Sequence, residues 1–481
     1  MKFSEKSIVY ILGVILPLLL VFNHIVPLNG LHRGFDPDDP GVHIWNLFIV
    51  NEQIKAGKNP FQTDAVFYPI GGNLAHHGLT SGFFPLTFIV DKATGGDLLY
   101  PIYTYHIAIF ISFALLFVFS ALVLQGLGYK GFSVFIPAVS YSFCNYYTAH
   151  VIHLNHIAGF MIPMSAFVMI RLYKKPDAIN AFAASLVLAA AVYFTEFSLF
   201  IYLTLPLLAL TMFALKPCRQ ELIVKVKEIG LKNLVIAKIL FFAAVAPYVA
   251  NWLFYKGIQP LPLEPLAYSA NPIDFFVPRP ESTPLYANMF SQINAFISPA
   301  LTGHETFIGY PLLIAAFLSV CSAGKDIRVR TAVFFAVAFF TLSLGPRLKV
   351  LNGITEIHMP YSLLMNVPPF GEFRTPVRFI VVGLFFLMIP AAEGLKSVSG
   401  RLTKSLGKRL CFAALTLVFV WAVAESYRPA KKLGPFKVPP QLSFFRCIPQ
   451  FLFQVHSSGV APCVRFLAYR FKQNQADIFF L

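Results

Sequence analysis

The chain has 481 residues, 57% of them hydrophobic and only 12% charged. Soluble domains carry about 25% charged residues, so this composition excludes a soluble globular enzyme and places the chain in a lipid bilayer. The formal net charge of +16 would suit a nucleic-acid partner. The Lys and Arg, however, fall mainly in short connections between apolar segments and form no recognisable binding module, so no nucleic acid is expected.

A spanning helix needs about 20 mainly apolar residues. Ile8–Pro27 is the first candidate, preceded by Lys2 and Lys6. It is long enough to span and is followed by no small-x-small cleavage site, so it reads as a retained anchor rather than a signal peptide. Residues 29–100 then form a long polar loop. Within it, the spacing of Val42, Trp45, Ile49 and Ile54 predicts a helix lying along the membrane surface.

Further spans are predicted at Pro101–Gln125, Phe132–Tyr147, Ile157–Leu172, Ile179–Phe194, Phe197–Leu215 and Leu234–Tyr255. A second long loop, 256–306, is rich in proline. Spans at Phe307–Cys321 and Thr331–Leu344, a third loop at 346–376, and spans at Val377–Leu395 and Leu410–Ala424 complete the series. The expected fold is therefore an all-α polytopic membrane protein with about 11 transmembrane helices. Residues 1–428 form the membrane domain and 429–481 a tail.

Alternation of the spans puts every strongly basic short turn on the side of Lys2 and Lys6: Lys130, Arg171–Lys175, Lys216–Lys232, Lys325–Arg330 and Arg401–Arg409. That is the cytoplasmic side by the positive-inside rule. The N-terminus is then cytoplasmic, the C-terminus extracytoplasmic, and all three long loops lie outside. Long polar loops are where function concentrates.

Six cysteines (144, 218, 321, 411, 447, 463) show no metal-binding spacing. Four lie in or beside apolar segments, where Cys behaves as a small hydrophobe. Cys447 and Cys463 are the two that an oxidising outer compartment would allow to pair.

The densest acidic cluster is Asp36, Asp38 and Asp39, in FDPDDP. A carboxylate in such a cluster suits the role of general base toward a hydroxyl group. A carboxylate pair equally suits a divalent cation, Mg or Mn, held against a leaving phosphate. An ordinary solvated Asp-Pro turn is the third reading.

Five histidines are also placed outside: His76, His77, His150, His153 and His156. His153 and His156 are three apart and share a helix face. No carboxylate or Cys completes a zinc spacing, and packed or interfacial histidines are the plainer reading. Glu196 stands between apolar segments, where ionisable groups usually face a cavity. In PPFGEFRTPVRF, Arg374 and Arg378 are four apart at the start of a span. They suit bidentate contact with one phosphate; snorkelling, or a pair between Glu372 and Arg378, are the alternatives.

Five stretches carry a resemblance. They are the acidic first loop with His43 and Trp45, GKNPFQTDAVFYPIGGNLAHH (57–77), HLNHIAGFMIPM (153–164), GHETFIGYPLLI (303–314), and the LPLEPLAY-type proline loop followed by FGEFRTPVRF. In their order and side of the membrane these stretches, over residues 8–428, resemble the GT-C glycosyltransferases. The likeness is to bacterial integral-membrane members related to the protein O-mannosyltransferase and aminoarabinose-transferase group.

The resemblance implies a polyprenyl-phosphate sugar donor, with the sugar moved to an envelope glycan, lipid or protein acceptor on the outer face of the bacterial inner membrane. Asp36, Asp38 or Asp39 would serve as base or metal ligand. Arg374 and Arg378 would hold the donor phosphate. Further substrate contacts are expected from His43, Asp64, His76, His77, His153, His156, Glu196 and Glu305. Members of this kind often continue into a soluble outer domain. Lys437–Leu481 is instead short, Phe-rich and basic, and reads as a truncated or frame-shifted end.

The alternative function is a transporter or flippase for a lipid-linked saccharide. Transporters tend to show internal repeats and broken, charged helices near the midplane. No repeat relates the two halves here, and the ionisable groups gather at the outer boundary, which favours the enzyme.

Overall fold

A computed structural model describes residues 4–28, 30–32, 39–66, 71–76, 79–195, 219–253, 264–280, 282–296, 305–323, 326–351, 353–367, 375–430 and 433–435. The protein is an all-α polytopic membrane protein. The principal helices are α1 (Glu5–Leu20), α2 (Asp39–Lys55), α3 (Phe84–Ala93), α4 (Tyr100–Gly126), α5 (Phe132–Ser142), α6 (Met161–Lys174), α7 (Ala178–Thr195), α8 (Leu231–Leu253), α9 (Tyr310–Ala323), α10 (Ile327–Ser343) and α11 (Ile380–Ser426). Strand structure among the described residues is confined to two-stranded pairs. The largest is the antiparallel hairpin of β1 (Arg347–Val350) and β2 (Gly353–His358).

The helices begin where local chemistry favours it. Ser4 caps α1, its Oγ accepting from the Ser7 amide at 3.1 Å. Asp326 does the same for α10 through the Arg328 amide at 2.8 Å. Pro85 and Pro101 stand in the first turns of α3 and α4, where a missing amide hydrogen costs nothing.

Among the described residues six segments are long and apolar enough to cross a membrane: Tyr100–Gly126, Leu154–Lys174, Ala178–Thr195, Leu231–Leu253, Pro376–Ser405 and Gly407–Ser426. Each overlaps a predicted span. The predicted spans at Ile8–Pro27, Phe132–Tyr147, Phe307–Cys321 and Thr331–Leu344 carry shorter helices, and Phe197–Leu215 lies outside the described residues.

Pro376–Ser405 is the central post, with 89% of its most apolar stretch buried. It packs against α5, α9 and α10. Gly394 permits its close approach to α9, because a Cβ there would collide with the Ala315 carbonyl. Leu231–Leu253 and Gly407–Ser426 are each only 17% buried. They turn apolar side chains such as Phe242, Leu253, Phe412 and Leu417 outward, as lipid-facing helices do.

The predicted helix in the first long loop is present as α2, but it packs against protein. His43, Asn46, Leu47, Val50 and Asn51 are buried against neighbours that include α3 and α4. A buried face carrying His and Asn needs partners that a lipid surface does not supply, which is why α2 does not simply float on the bilayer. A second core of Ile49, Val50, Phe61, Leu74 and Leu79 with Ala189, Val192, Val245 and Tyr248 fastens this loop to α7 and α8.

Candidate active site

The residues 145–160 between α5 and α6 fold as two short helices, Asn145–Ala149 and Leu154–Ile157, followed by a 3-10 turn. Tyr105 on α4 pins the turn between them, its hydroxyl donating to the Ile152 carbonyl at 2.6 Å. His150, His153 and His156 thereby come together, with ring centroids 4.6–5.3 Å apart. The Tyr146 ring stacks on His150 at 4.3 Å and lies parallel to His156 at 5.7 Å. Tyr146 Oη and His156 Nδ1 share a 3.2 Å hydrogen bond. His150 Nδ1 donates to the Tyr146 carbonyl at 2.8 Å. The result is a compact stack of three imidazoles and a phenol in one stretch of chain.

Arg378 reaches this stack from the 3-10 turn Pro376–Phe379 that leads into α11. It lies beside the Tyr146 hydroxyl and within electrostatic reach of His156, as do His150, His153 and the buried His43 of α2. A pocket is lined by Tyr146, Asn155, His156, Gly159, Thr195 and Arg378. Among the described residues the buried Nε–H of Arg378 meets no acceptor. A guanidinium with a free fork position beside imidazoles and a phenol is suited to a phosphate or carboxylate oxygen.

Glu305 lies next door. Its backbone sits in the left-handed region at φ 53°, uncommon for a side chain of this size. The carboxylate accepts from Asn145 Nδ2 at 3.1 Å and from Ser282 Oγ. Arg428 Nη2 lies 3.5 Å from its other oxygen. Through Asn145, Glu305 is one residue removed from Tyr146.

The structure thus brings together His43, His153, His156 and Arg378, with Glu305 adjacent. Asp39 is the first residue of α2, the helix that carries His43 one turn further on. Thr195 lines the pocket and directly precedes Glu196. Asp36, Asp38, His77, Glu196 and Arg374 lie outside the described residues.

Asp64 is exposed beside the short pair of Gln62–Thr63 with Gly72–Asn73, and the backbone of His76 follows in the next 3-10 turn. That hairpin is held to α8, with Asn73 Nδ2 donating to the Asn251 carbonyl at 2.8 Å. Its known packing is on α8 rather than on the histidine stack. Among the described residues no group of three or more His, Cys, Asp or Glu side chains is arranged to hold a metal ion.

Sequence reasoning missed Tyr146 and Asn145. Both sit in an apolar run, SFCNYYTAH, where a tyrosine reads as core. The only available signal was their position four and five residues before His150.

No protein-family profile matches this chain, and no curated protein matches it. Among solved structures it is similar to the oligosaccharyltransferase of Archaeoglobus fulgidus. The apo form aligns with a TM-score of 0.48 at 12% identity, over 89% of this chain and 56% of that one. The form in complex with Zn and sulfate aligns with a TM-score of 0.44 at 12% identity, over 89% and 54%. The chain therefore spans little more than half the length of those structures.

Proposed function

We propose that this protein is a membrane glycosyltransferase that takes a sugar from a polyprenyl-phosphate donor and passes it to an envelope acceptor on the extracytoplasmic face. The observation that carries the reading is the meeting of Arg378 with Tyr146, His156 and His43. His43, the Tyr146–His156 stretch and Arg378 are far apart in sequence, and the positive-inside reading of the sequence puts each of them at the outer end of a span.

Arg378, helped by Arg374, holds the donor phosphate, and its Nε–H, which meets no acceptor among the described residues, supplies one of the hydrogen bonds. The acceptor oxygen attacks the anomeric carbon while the bond from that carbon to the phosphate oxygen breaks. The lipid phosphate leaves with its electron pair, and the configuration inverts. Asp36, Asp38 or Asp39 takes the acceptor proton. His43, His153, His156, Glu196 and Glu305 surround the sugar and acceptor, with Asp64, His76 and His77 further along the same loop. A Mg or Mn ion on the acidic cluster would neutralise charge on the phosphate; no step depends on it here.

The test is transfer in vesicles reconstituted with purified protein, using radiolabelled polyprenyl-phosphate hexose and an envelope extract as acceptor. Label is expected in an acceptor and is expected to fall ~100-fold with Arg378→Ala, about 2.7 kcal/mol of lost phosphate contact. Label that crosses the bilayer without joining an acceptor would overturn the enzyme in favour of the flippase.

A further inference from the structure

A buried lysine outside the pocket is linked by hydrogen bonds to the turn that bears Arg378. Residues 267–271 of the second long loop thread between the β1–β2 hairpin and the turn that bears Arg378. Lys349 of β1 is 1% exposed. Its Nζ donates to the Ala267 carbonyl at 3.0 Å and to the Ser269 carbonyl at 2.9 Å. Between those two lies Tyr268, whose own carbonyl accepts from the Val377 amide at 3.1 Å. Val377 is the residue before Arg378.

Neighbouring bonds tighten the same node. The Ala270 amide donates to the Ser343 carbonyl at 2.9 Å, and Asn271 Nδ2 donates to the Leu351 carbonyl at 2.9 Å. Gly345, at φ 75°, lies so close to Ser269 and Pro376 that any Cβ would collide with Ser269.

Burying an ammonium is costly unless its hydrogen bonds are satisfied, and here burial draws the Lys349 pKa down to about 8 against the pull of the Asp274 carboxylate. A Met of similar length would fill the space without that cost. The ammonium earns its place by fixing the two carbonyls that flank Tyr268, and so the peptide that seats Arg378.

We propose that Lys349 is a positioning residue for the phosphate-binding arginine: it clamps the Ala267–Ser269 segment so that Tyr268 holds Val377, and with it Arg378, at the pocket. The proposal rests on the reading of Arg378 as the donor-phosphate ligand. It makes the second and third long loops one unit with the site.

The experiment is a double-mutant cycle of Lys349→Met and Arg378→Ala in reconstituted vesicles, with donor and acceptor KM measured separately. Lys349→Met is expected to raise the donor KM ~10-fold and leave the acceptor KM unchanged. In the Arg378→Ala background it should add no further rise, since the side chain it positions is gone. Lys349→Arg, which still reaches both carbonyls, should restore donor KM toward wild type.

A general fall in kcat with donor KM unmoved, or penalties that simply add, would overturn the positioning role and leave Lys349 as structural. If Arg378→Ala alone leaves donor KM unaltered, the phosphate reading fails and the proposal falls with it, a result distinct from failure of the clamp. Should Lys349→Met not yield folded protein, Lys349→Gln, which keeps an N–H donor on a shorter stem, is expected to give an intermediate donor KM. An unchanged donor KM there would count against the clamp.

Discussion

Lys349 is buried, and the direction in which it couples stability to pH follows from that burial. In the unfolded chain a lysine holds its proton up to about 10.5, whereas in the fold burial lowers that to about 8. Between those values the unfolded state binds more protons than the native one, so stability rises with pH across that window and is flat with respect to this group below it. The thermal unfolding midpoint of wild type relative to that of Lys349→Met, both followed from pH 7 to 10.5 in detergent, is expected to climb over the upper part of the range. Parallel curves for the two proteins would contradict the burial argument. At this scale the sequence was only partly legible. Arg378 stood out because it has a basic neighbour four residues away. Lys349 did not, since in RLKV it reads as an ordinary loop lysine, and its partners are backbone carbonyls some 80 positions distant.

Between α2 and α3 a second polar tie sets the lie of the helix that carries Asp39 and His43. Asp91 Oδ2 is 2.7 Å from Lys55 Nζ and accepts from Asn51 Nδ2 at 3.2 Å, with the carboxylate side chain 4% exposed. Burial by itself would raise this carboxyl's pKa, but the bonds from Lys55 and Asn51 outweigh it and hold the pKa below the ordinary value. A carboxylate so depressed contributes stability above its unfolded pKa, and that contribution is lost as pH falls through the native one. Asp91→Asn is therefore expected to unfold at lower temperature than wild type at neutral pH, with the gap closing as the buffer is acidified below pH 4. A gap that persists in acid would mean that packing, and not charge, makes the tie.

Six of the predicted spans were legible as such, because lipid demands long apolar helices. The α2 surface reading was less so. Period alone cannot tell lipid from protein as the partner, and the deciding residues, His43, Asn46 and Asn51, are polar ones buried among neighbours from other parts of the chain. Similarly, the inner turn predicted at Arg401–Arg409 is narrowed in the fold to a single break at Gly407, with φ 80° and ψ 164°.

Over the whole molecule, a well-buried central helix carries Arg378 at one end, while flanking helices with outward apolar faces meet the lipid. The long loops between spans are not separate decorations. The first is fastened to α8 through the Tyr248–Ala75 hydrogen bond at 2.8 Å and to α7 through the bond from Ser81 Oγ to the Tyr193 carbonyl at 3.3 Å. The second and third are stitched to each other through Lys349 and Asn271. Sequence patterns divided the chain into apolar segments and polar loops; what they did not convey was which of those segments touch, since the 146–156 stretch and Arg378 are joined by folding rather than by spacing. Asp64 and the backbone of His76 illustrate the difference, being in the same loop as His43 yet beside the hairpin whose Asn73 bonds to α8.

The most direct measurement is saturation binding of labelled polyprenyl phosphate to purified protein in nanodiscs, which needs no knowledge of the sugar or acceptor. Saturable binding that requires the phosphate, and that weakens about 100-fold in Arg378→Ala, is the predicted result. Binding that is equally tight for the variant, or for polyprenol without its phosphate, would contradict the account.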